Sequence, residues 1–316
     1  MALPAPSTAV NLYLLNGGSM TAEHHILHAG EAPGSEFRMY NWCFLIHHAQ
    51  KKRWVLWDLG MSANPEDFPP VIANGILKEA RVLDPVEPLQ EQIKRRAGIE
   101  PHQLDTIILS HAHFDHARPI RTTFPNATIY FGPGTSSFCS PGHLTNPLSP
   151  WDGRFFDADP AKATETWATL SGPWVPFGPF EAAMDFFGDG GLWVVRAPGH
   201  MPGNLCGVVR VGFEGEGAWV VLGSDCCHSR DLLNGTKSFG TFPLPDGSMT
   251  CLHADPDAAR DTLAKLRVLE RDMGAHVALA HDASWMVEGG DEVLMSLLDE
   301  RFRADVKEAV VKGEPF

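Results

Sequence analysis

The stretch Ser110-His111-Ala112-His113-Phe114-Asp115-His116-Ala117 places three imidazoles and a carboxylate within six positions, His111 to His116. The residues before it, Leu104-Asp105-Thr106-Ile107-Ile108-Leu109, are largely apolar and β-branched, the composition of a buried strand. The cluster therefore begins where a core strand ends, and a rigid sheet presents side chains to a cleft at such ends. Neutral imidazole and carboxylate are good ligands for zinc and related divalent ions. Period-two alternation puts His111 and His113 on one side of an extended segment. Asp115 and His116 follow a turn of the chain and face a second point, so one cluster can feed two metals. The alternative is a polar loop carrying surface histidines.

Composition bounds the rest. A length of 316 residues suits one large domain or two small ones, and 44% hydrophobic with 20% charged residues is an ordinary globular mix. A formal net charge of −14 argues against nucleic acid as a partner, because nothing neutralises the phosphates. The 15 histidines hint at metal work. Cys43, Cys139, Cys206, Cys226, Cys227 and Cys251 contain no C-x-x-C pair and are expected as free thiols. Met1-Ala2-Leu3-Pro4-Ala5-Pro6 lacks the basic and apolar regions of an export signal, and no apolar run reaches the length of a membrane span. The expectation is a cytoplasmic protein with no membrane partner.

Outward from the histidine cluster, strand and helix patterns recur. Val10 to Leu15 is predicted as a strand and Gly17-Gly18-Ser19-Met20 as a turn, with His24, His25 and His28 nearby as pocket lining or polar surface. Trp42 to Ile46 and Trp54 to Trp57 form a hairpin that ends in Asp58-Leu59-Gly60. Asp58 either orients a metal-binding histidine or simply forms the turn. Residues 61–84 make a loop or short helix over the cleft, and Glu87 to Ala97 a helix stopped by Gly98. Ala127 to Phe131 is the next strand.

Residues 132–190 are rich in Pro, Gly and aromatics, with a short helix expected around Ala161 to Leu170. Such an insert is too apolar for a solvated linker and packs as core or as the wall of an apolar substrate pocket. Leu192 to Arg196 runs into Ala197-Pro198-Gly199-His200-Met201-Pro202-Gly203. Cys206 to Val211 and Ala218 to Leu222 form a hairpin ending in Gly223-Ser224-Asp225, an echo of the one ending in Asp58. Pro256 to Met273 is a helix with Asp255 as N-cap, His276 to Ala280 a strand delivering His281-Asp282, and Asp291 to Val311 a closing helix. Strands alternating with helices in both halves argue for an α/β chain whose sheets are covered by helices.

Taken in order, S-H-A-H-F-D-H-A, A-P-G-H-M-P-G, G-S-D and A-H-D resemble the metallo-β-lactamase superfamily over roughly residues 40–285. Within it the chain is most similar to the dinuclear lactonases that open N-acyl-homoserine lactones. The resemblance implies a four-layer αββα sandwich of two mixed β-sheets flanked by helices, a single domain over 1–316. It implies two divalent ions, zinc in the first place, with iron, manganese or cobalt also accepted. His111, His113 and His200 would hold one ion, Asp115, His116 and His281 the other, and Asp225 would bridge them.

Those lactonases place a tyrosine three residues after the bridging acid, against the substrate carbonyl. Here Asp225-Cys226-Cys227-His228 puts His228 there, as hydrogen-bond donor or general acid, or as pocket wall. Cys226 and Cys227 are either soft ligands or small core residues.

The implied activity is hydrolysis by a hydroxide shared between two metals, with Asp115 relaying a proton. The substrate would be a quorum-sensing-type lactone or another apolar or aromatic lactone or ester. An acyl thioester hydrolase of the thioesterase or glyoxalase-II kind is the alternative. A β-lactamase or a flavin-partnered di-iron oxidoreductase fits less well, and a metal-binding protein without turnover is the non-enzymatic reading. Monomer and homodimer are both open.

Overall fold

Ile107 and Ile108 are both fully buried although they are neighbours on one strand. Successive side chains on a strand point to opposite faces, so this strand has protein on both sides. Ile108 joins Trp42, Phe44, Val55 and Trp57 in a cluster with Leu192, Val194, Val220 and Leu222. Ile107 joins Leu45, Leu56 and Ile129 in another, with Leu89 and Ile93. The same split occurs in the second half, where Val195, Val221 and Val277 face Leu263, Leu266 and Leu269.

The computed structural model describes residues 3, 8–159, 161–213, 216–244, 246–287 and 290–316. Residues 1, 2 and 4–7, read above for an export signal, lie outside these. The first sheet has β1 (Asn11–Glu23), β2 (Glu36–His48), β3 (Arg53–Trp57), β4 (Thr106–Ile108), β5 (Thr128–Phe131) and β6 (Trp167–Thr169) side by side in that order. Its first three strands are antiparallel, and β3 to β6 are parallel.

The second sheet holds β7 (Val175–Phe177), β8 (Phe180–Asp185), β9 (Leu192–Arg196), β10 (Leu205–Phe213) and β11 (Glu216–Ser224) as antiparallel neighbours. A small ribbon pairs β12 (Phe242–Pro243) with β13 (Met249–Thr250), and β14 (His276–Leu279) closes the second sheet parallel to β11. The helix Leu89–Ala97 covers one outer face and the helix Pro256–Arg271 the other. The result is the four-layer sandwich of two mixed sheets.

The helix Pro256–Arg271 starts as its sequence dictates: Asp255 accepts hydrogen bonds from the backbone N–H of Asp257 and Ala258. Its inner stripe Leu263, Leu266 and Leu269 is buried, with Leu266 and Leu269 wholly inaccessible. Leu266→Ala is expected to cost about 2–5 kcal/mol, the range for emptying a tightly packed leucine site. Urea unfolding of the variant measures this directly, and a loss below half a kcal/mol would mean the layer repacks freely.

Three sequence expectations are corrected. Gly17 and Gly18 do not end the first strand; they form a bulge inside β1, where the register shifts between Asn16 and Ser19. Gly18 has φ +96, and a Cβ there would sit 2.6 Å from the Leu83 carbonyl oxygen. Residues 161–170 hold no helix: the chain turns, then enters β6, because Trp167 packs edge-on to Phe131 and pairs alongside β5. The closing helix is broken into Glu292–Ser296 and Arg303–Lys312, and Asp299 in the break takes the Arg95 guanidinium. The aromatic stretch supplies edge strands to both sheets, β6 to one and β7 and β8 to the other. Among the described residues, no helix is long and apolar enough to cross a membrane.

Candidate metal centre

The residues of the candidate set leave strand ends or the turns after them, and His111, His116, His200 and His281 are held from behind. After β3 the chain turns at Asp58, a non-glycine residue at φ +61. Its carboxylate is 1% exposed and accepts from the Ser110 backbone N–H at 2.7 Å and the Ser110 hydroxyl at 2.8 Å. It also lies 2.9 Å from His116 Nδ1. A carboxylate oxygen accepts, so Nδ1 carries a hydrogen and Nε2 is the nitrogen turned toward the site. The Ser110 hydroxyl, its hydrogen given to Asp58, sits 3.0 Å from His111 Nδ1 and fixes that ring in the same sense. His281 Nδ1 is 2.7 Å from the Tyr40 carbonyl oxygen, with the same consequence.

His200 is placed by the turn after β9. Gly199 there has φ +135, and a Cβ would lie 2.3 Å from the backbone nitrogen of Ala259. Only glycine lets the start of the helix Pro256–Arg271 come this close. In return, Asp255 N–H donates to the Gly199 carbonyl and Ala254 N–H to the His200 carbonyl.

These turns meet in space. The ligand atoms of His111, His113 and His200 form one group, and those of Asp115, His116, Asp225 and His281 a second, all within 4.8 Å of one another inside each group. Asp225 reaches both. Its Oδ2 is 3.5 Å from His200 Nε2 and 3.8 Å from His111 Nε2, and its Oδ1 is 3.3 Å from His116 Nε2 and 3.2 Å from His281 Nε2. Asp115 Oδ2 lies 3.2 Å from His281 Nε2 and 3.6 Å from His116 Nε2. His111, His116, His200, Asp225 and His281 are all buried, and His113 is half-buried. His111 Nε2, His116 Nε2 and Asp225 Oδ1 have no hydrogen-bond partner. Buried polar atoms without partners are costly, and a divalent cation is the partner that fits both nitrogen lone pairs and a carboxylate.

The electrostatics divide the same way. Burial, reinforced by neighbouring imidazoles, holds His111 and His200 well below the usual histidine range, so both are neutral and open to a cation. Burial also opposes charge on His116 and His281, but Asp225 and Asp115 outweigh it. His116 is held well above its ordinary value and His281 is pushed up to about 10. Asp225 is held well below the carboxylate range, since His281 and His116 overcome the cost of burying it. The carboxylates thus demand positive charge beside them, which protons or metal ions can supply.

His228 Nε2 is 3.2 Å from Asp225 Oδ2, and the side chain is buried. Cys226 and Cys227 belong to the outer hydrophobic cluster under the helix Pro256–Arg271. Cys226 Sγ is 3.2 Å from Cys206 Sγ. Of the early histidines, His28 reaches the region from behind, its Nε2 2.7 Å from Ser229 Oγ.

Sequence reasoning missed His253. It is buried, with its ring 5.3 Å from that of His200 and 5.7 Å from that of His228, and burial with His228 nearby pushes it down to about 3. The two-residue strand β13 before it carries no apolar run to read; its signal is its place two residues before the helix N-cap Asp255. Trp151, from the aromatic stretch, stacks on His113 with centroids 5.4 Å apart and planes 18° apart, and Phe138 lies against Trp151.

Residues 38–120 match the metallo-beta-lactamase superfamily. Metallo-hydrolase mfmC of Annulohypoxylon moriforme is 29% identical over 277 residues, 77% of this chain and 70% of that protein. The protein named cytochrome P450 monooxygenase mpaDE' of Penicillium brevicompactum is 29% identical over 304 residues; the match takes in 89% of this chain but spans only 34% of that longer protein. N-acyl homoserine lactonase AttM of Azorhizobium caulinodans is 26% identical, with 87% of this chain and 94% of AttM covered. A solved N-acyl homoserine lactone hydrolase, with N-hexanoyl-L-homoserine at its catalytic metal center, shares the fold at TM-score 0.62 and 20% identity, over 88% of this chain and 95% of that one. Sheet order, strand-end turns and sequence match agree: the chain carries a metallo-beta-lactamase superfamily domain, matched over residues 38–120, in the fold of the solved lactone hydrolase.

Proposed function

We propose that this protein, as one domain over residues 1–316, is a metal-dependent hydrolase that opens a lactone or closely related ester with an apolar or aromatic acyl portion. The observation that carries the reading is the Asp225 carboxylate, set between two groups of buried donors, with one imidazole nitrogen in each group, His111 Nε2 and His116 Nε2, left without a partner. His111, His113 and His200 would hold one divalent ion, Asp115, His116 and His281 the other, and Asp225 both; zinc suits the set, as would iron, manganese or cobalt. Bound there, such ions supply Lewis acidity and a hydroxide nucleophile at neutral pH.

The chain's own groups do the rest. Asp58, acting on His116 directly and on His111 through Ser110, keeps both Nε2 atoms pointed inward. Asp115 Oδ2, beside His281 Nε2, is placed to carry a proton toward the departing oxygen. Trp151 over His113, with Phe138 beyond it and 40% exposed, offers an aromatic wall that excludes water from an acyl group. The lactone class is supported by the relative named a lactonase and by the fold neighbour with its ring-opened product.

The test joins metal content to a substrate panel of acyl lactones, aryl esters and acyl thioesters. Two equivalents of metal are expected, with lactone opening lost by more than about 100-fold after chelation and restored by zinc. Turnover confined to thioesters would replace the lactone reading, and turnover untouched by chelation would end the metal one.

A further inference from the structure

We propose that His228 is itself a metal ligand, on the side of the site formed by His111, His113 and His200. The inference rests on the two-metal reading above and assigns a different role to the position where similar lactonases carry tyrosine. Its first support is convergence: ligand atoms of His200, Asp225 and His228 also lie within 4.8 Å of one another. Around the single oxygen Asp225 Oδ2 stand four imidazole nitrogens, Nε2 of His228 and His281 at 3.2 Å, of His200 at 3.5 Å and of His111 at 3.8 Å. One carboxylate oxygen has about two lone-pair directions, so it cannot accept a hydrogen bond from each. His200 Nε2 also meets His113 Nδ1 at 2.7 Å, so these rings and the acid compete for hydrogens, and a shared cation satisfies them together.

The second support is that His228 is held in place. It is 5% exposed, and the next residue, Ser229, caps the helix Arg230–Asn234 while its hydroxyl meets His28. The ring of His228 lies parallel to that of His281, 2° apart in plane with centroids 5.6 Å apart, and both turn Nε2 to Asp225 Oδ2 at 3.2 Å. A consequence follows for the metals. One group would offer four imidazoles, the other two imidazoles and Asp115, with Asp225 common to both. Imidazole-rich sites suit zinc, copper and nickel, whereas added carboxylate suits manganese. The two positions would then differ in affinity and accept a mixed pair.

Cobalt(II) titration of the metal-stripped protein tests this, read by visible absorption and by paramagnetically shifted proton NMR. The wild type is expected to take two equivalents and to show six shifted imidazole rings, from His111, His113, His116, His200, His228 and His281. His228→Ala is expected to weaken one equivalent by at least about tenfold, change the d–d bands and remove one shifted ring. His253→Ala, which removes an adjacent buried ring outside the donor groups, should keep both equivalents. Five shifted rings in the wild type, or unchanged affinity and bands in His228→Ala, would overturn the assignment while leaving the two-metal reading intact. Failure of the wild type to bind two equivalents would overturn both. The ring count is made on the wild type, so a poorly folding variant does not remove the test.

Discussion

Asp225→Asn is expected to lower turnover by more than about 100-fold and to cost the protein at least one equivalent of bound metal. The replacement is nearly isosteric, so its effect is chemical. The carboxylate offers two oxygens, each set against imidazole nitrogens: Oδ1 faces His116 and His281, and Oδ2 faces His111, His200 and His228. An amide keeps one acceptor and turns the other end into a donor of two hydrogens. That end would point into neutral imidazole nitrogens on one side of the site and repel any cation there. The negative charge that holds His281 up to about 10 would also go, so the second group would lose part of its pull on a divalent ion. Metal analysis and turnover on the same preparation, with and without added metal, make the check. Wild-type turnover in a metal-replete variant would show that Asp225 does not bridge.

The legible parts of this molecule are those where one local signal sufficed. Apolar strands ending in a candidate ligand are readable at β4, β9, β11 and β14 because a fully buried strand is continuously hydrophobic and its end is marked by Gly, Pro or Asp. The helix Pro256–Arg271 was readable from its cap and its stripe. What misled was tertiary. The alanines and Trp167 of residues 161–170 look helical alone, but an open sheet edge beside β5 and the ring of Phe131 favour a strand. Gly17-Gly18 looks like a turn unless one knows that Leu83 pairs against Ser19 and needs the close approach. In the site, the dependence of His111 on Asp58 runs through Ser110, a residue with no obvious chemistry of its own. His253 is drawn in by backbone bonds to Gly199 and His200, contacts between segments far apart in the chain.

Asp58→Asn should separate the two roles that the sequence left open for this acid. Asparagine tolerates a positive φ about as well as aspartate, so the turn at φ +61 survives the change. If Asp58 only shapes the turn, metal affinity stays where it was. If it orients histidines, the amide fails, because three donors now converge on the carboxylate: the Ser110 N–H, the Ser110 hydroxyl and His116 Nδ1–H. An amide oxygen can serve Ser110 N–H, but the amide nitrogen then meets donors and accepts from neither. The His116 and His111 rings lose what fixes their tautomers, and these rings belong to different donor groups. Both metal positions should therefore weaken, each by about 10–100-fold, the usual cost of losing a partner behind a ligand. Asp58→Ala adds a stability loss, since each buried donor stranded without an acceptor costs about 1–3 kcal/mol. Metal affinity by competition with a chelator, alongside urea unfolding of the metal-free forms, distinguishes the cases. A stable Asp58→Asn variant with wild-type affinity at both positions would reduce Asp58 to a turn residue, whereas weakening at only one would mean that the link through Ser110 to His111 carries no force.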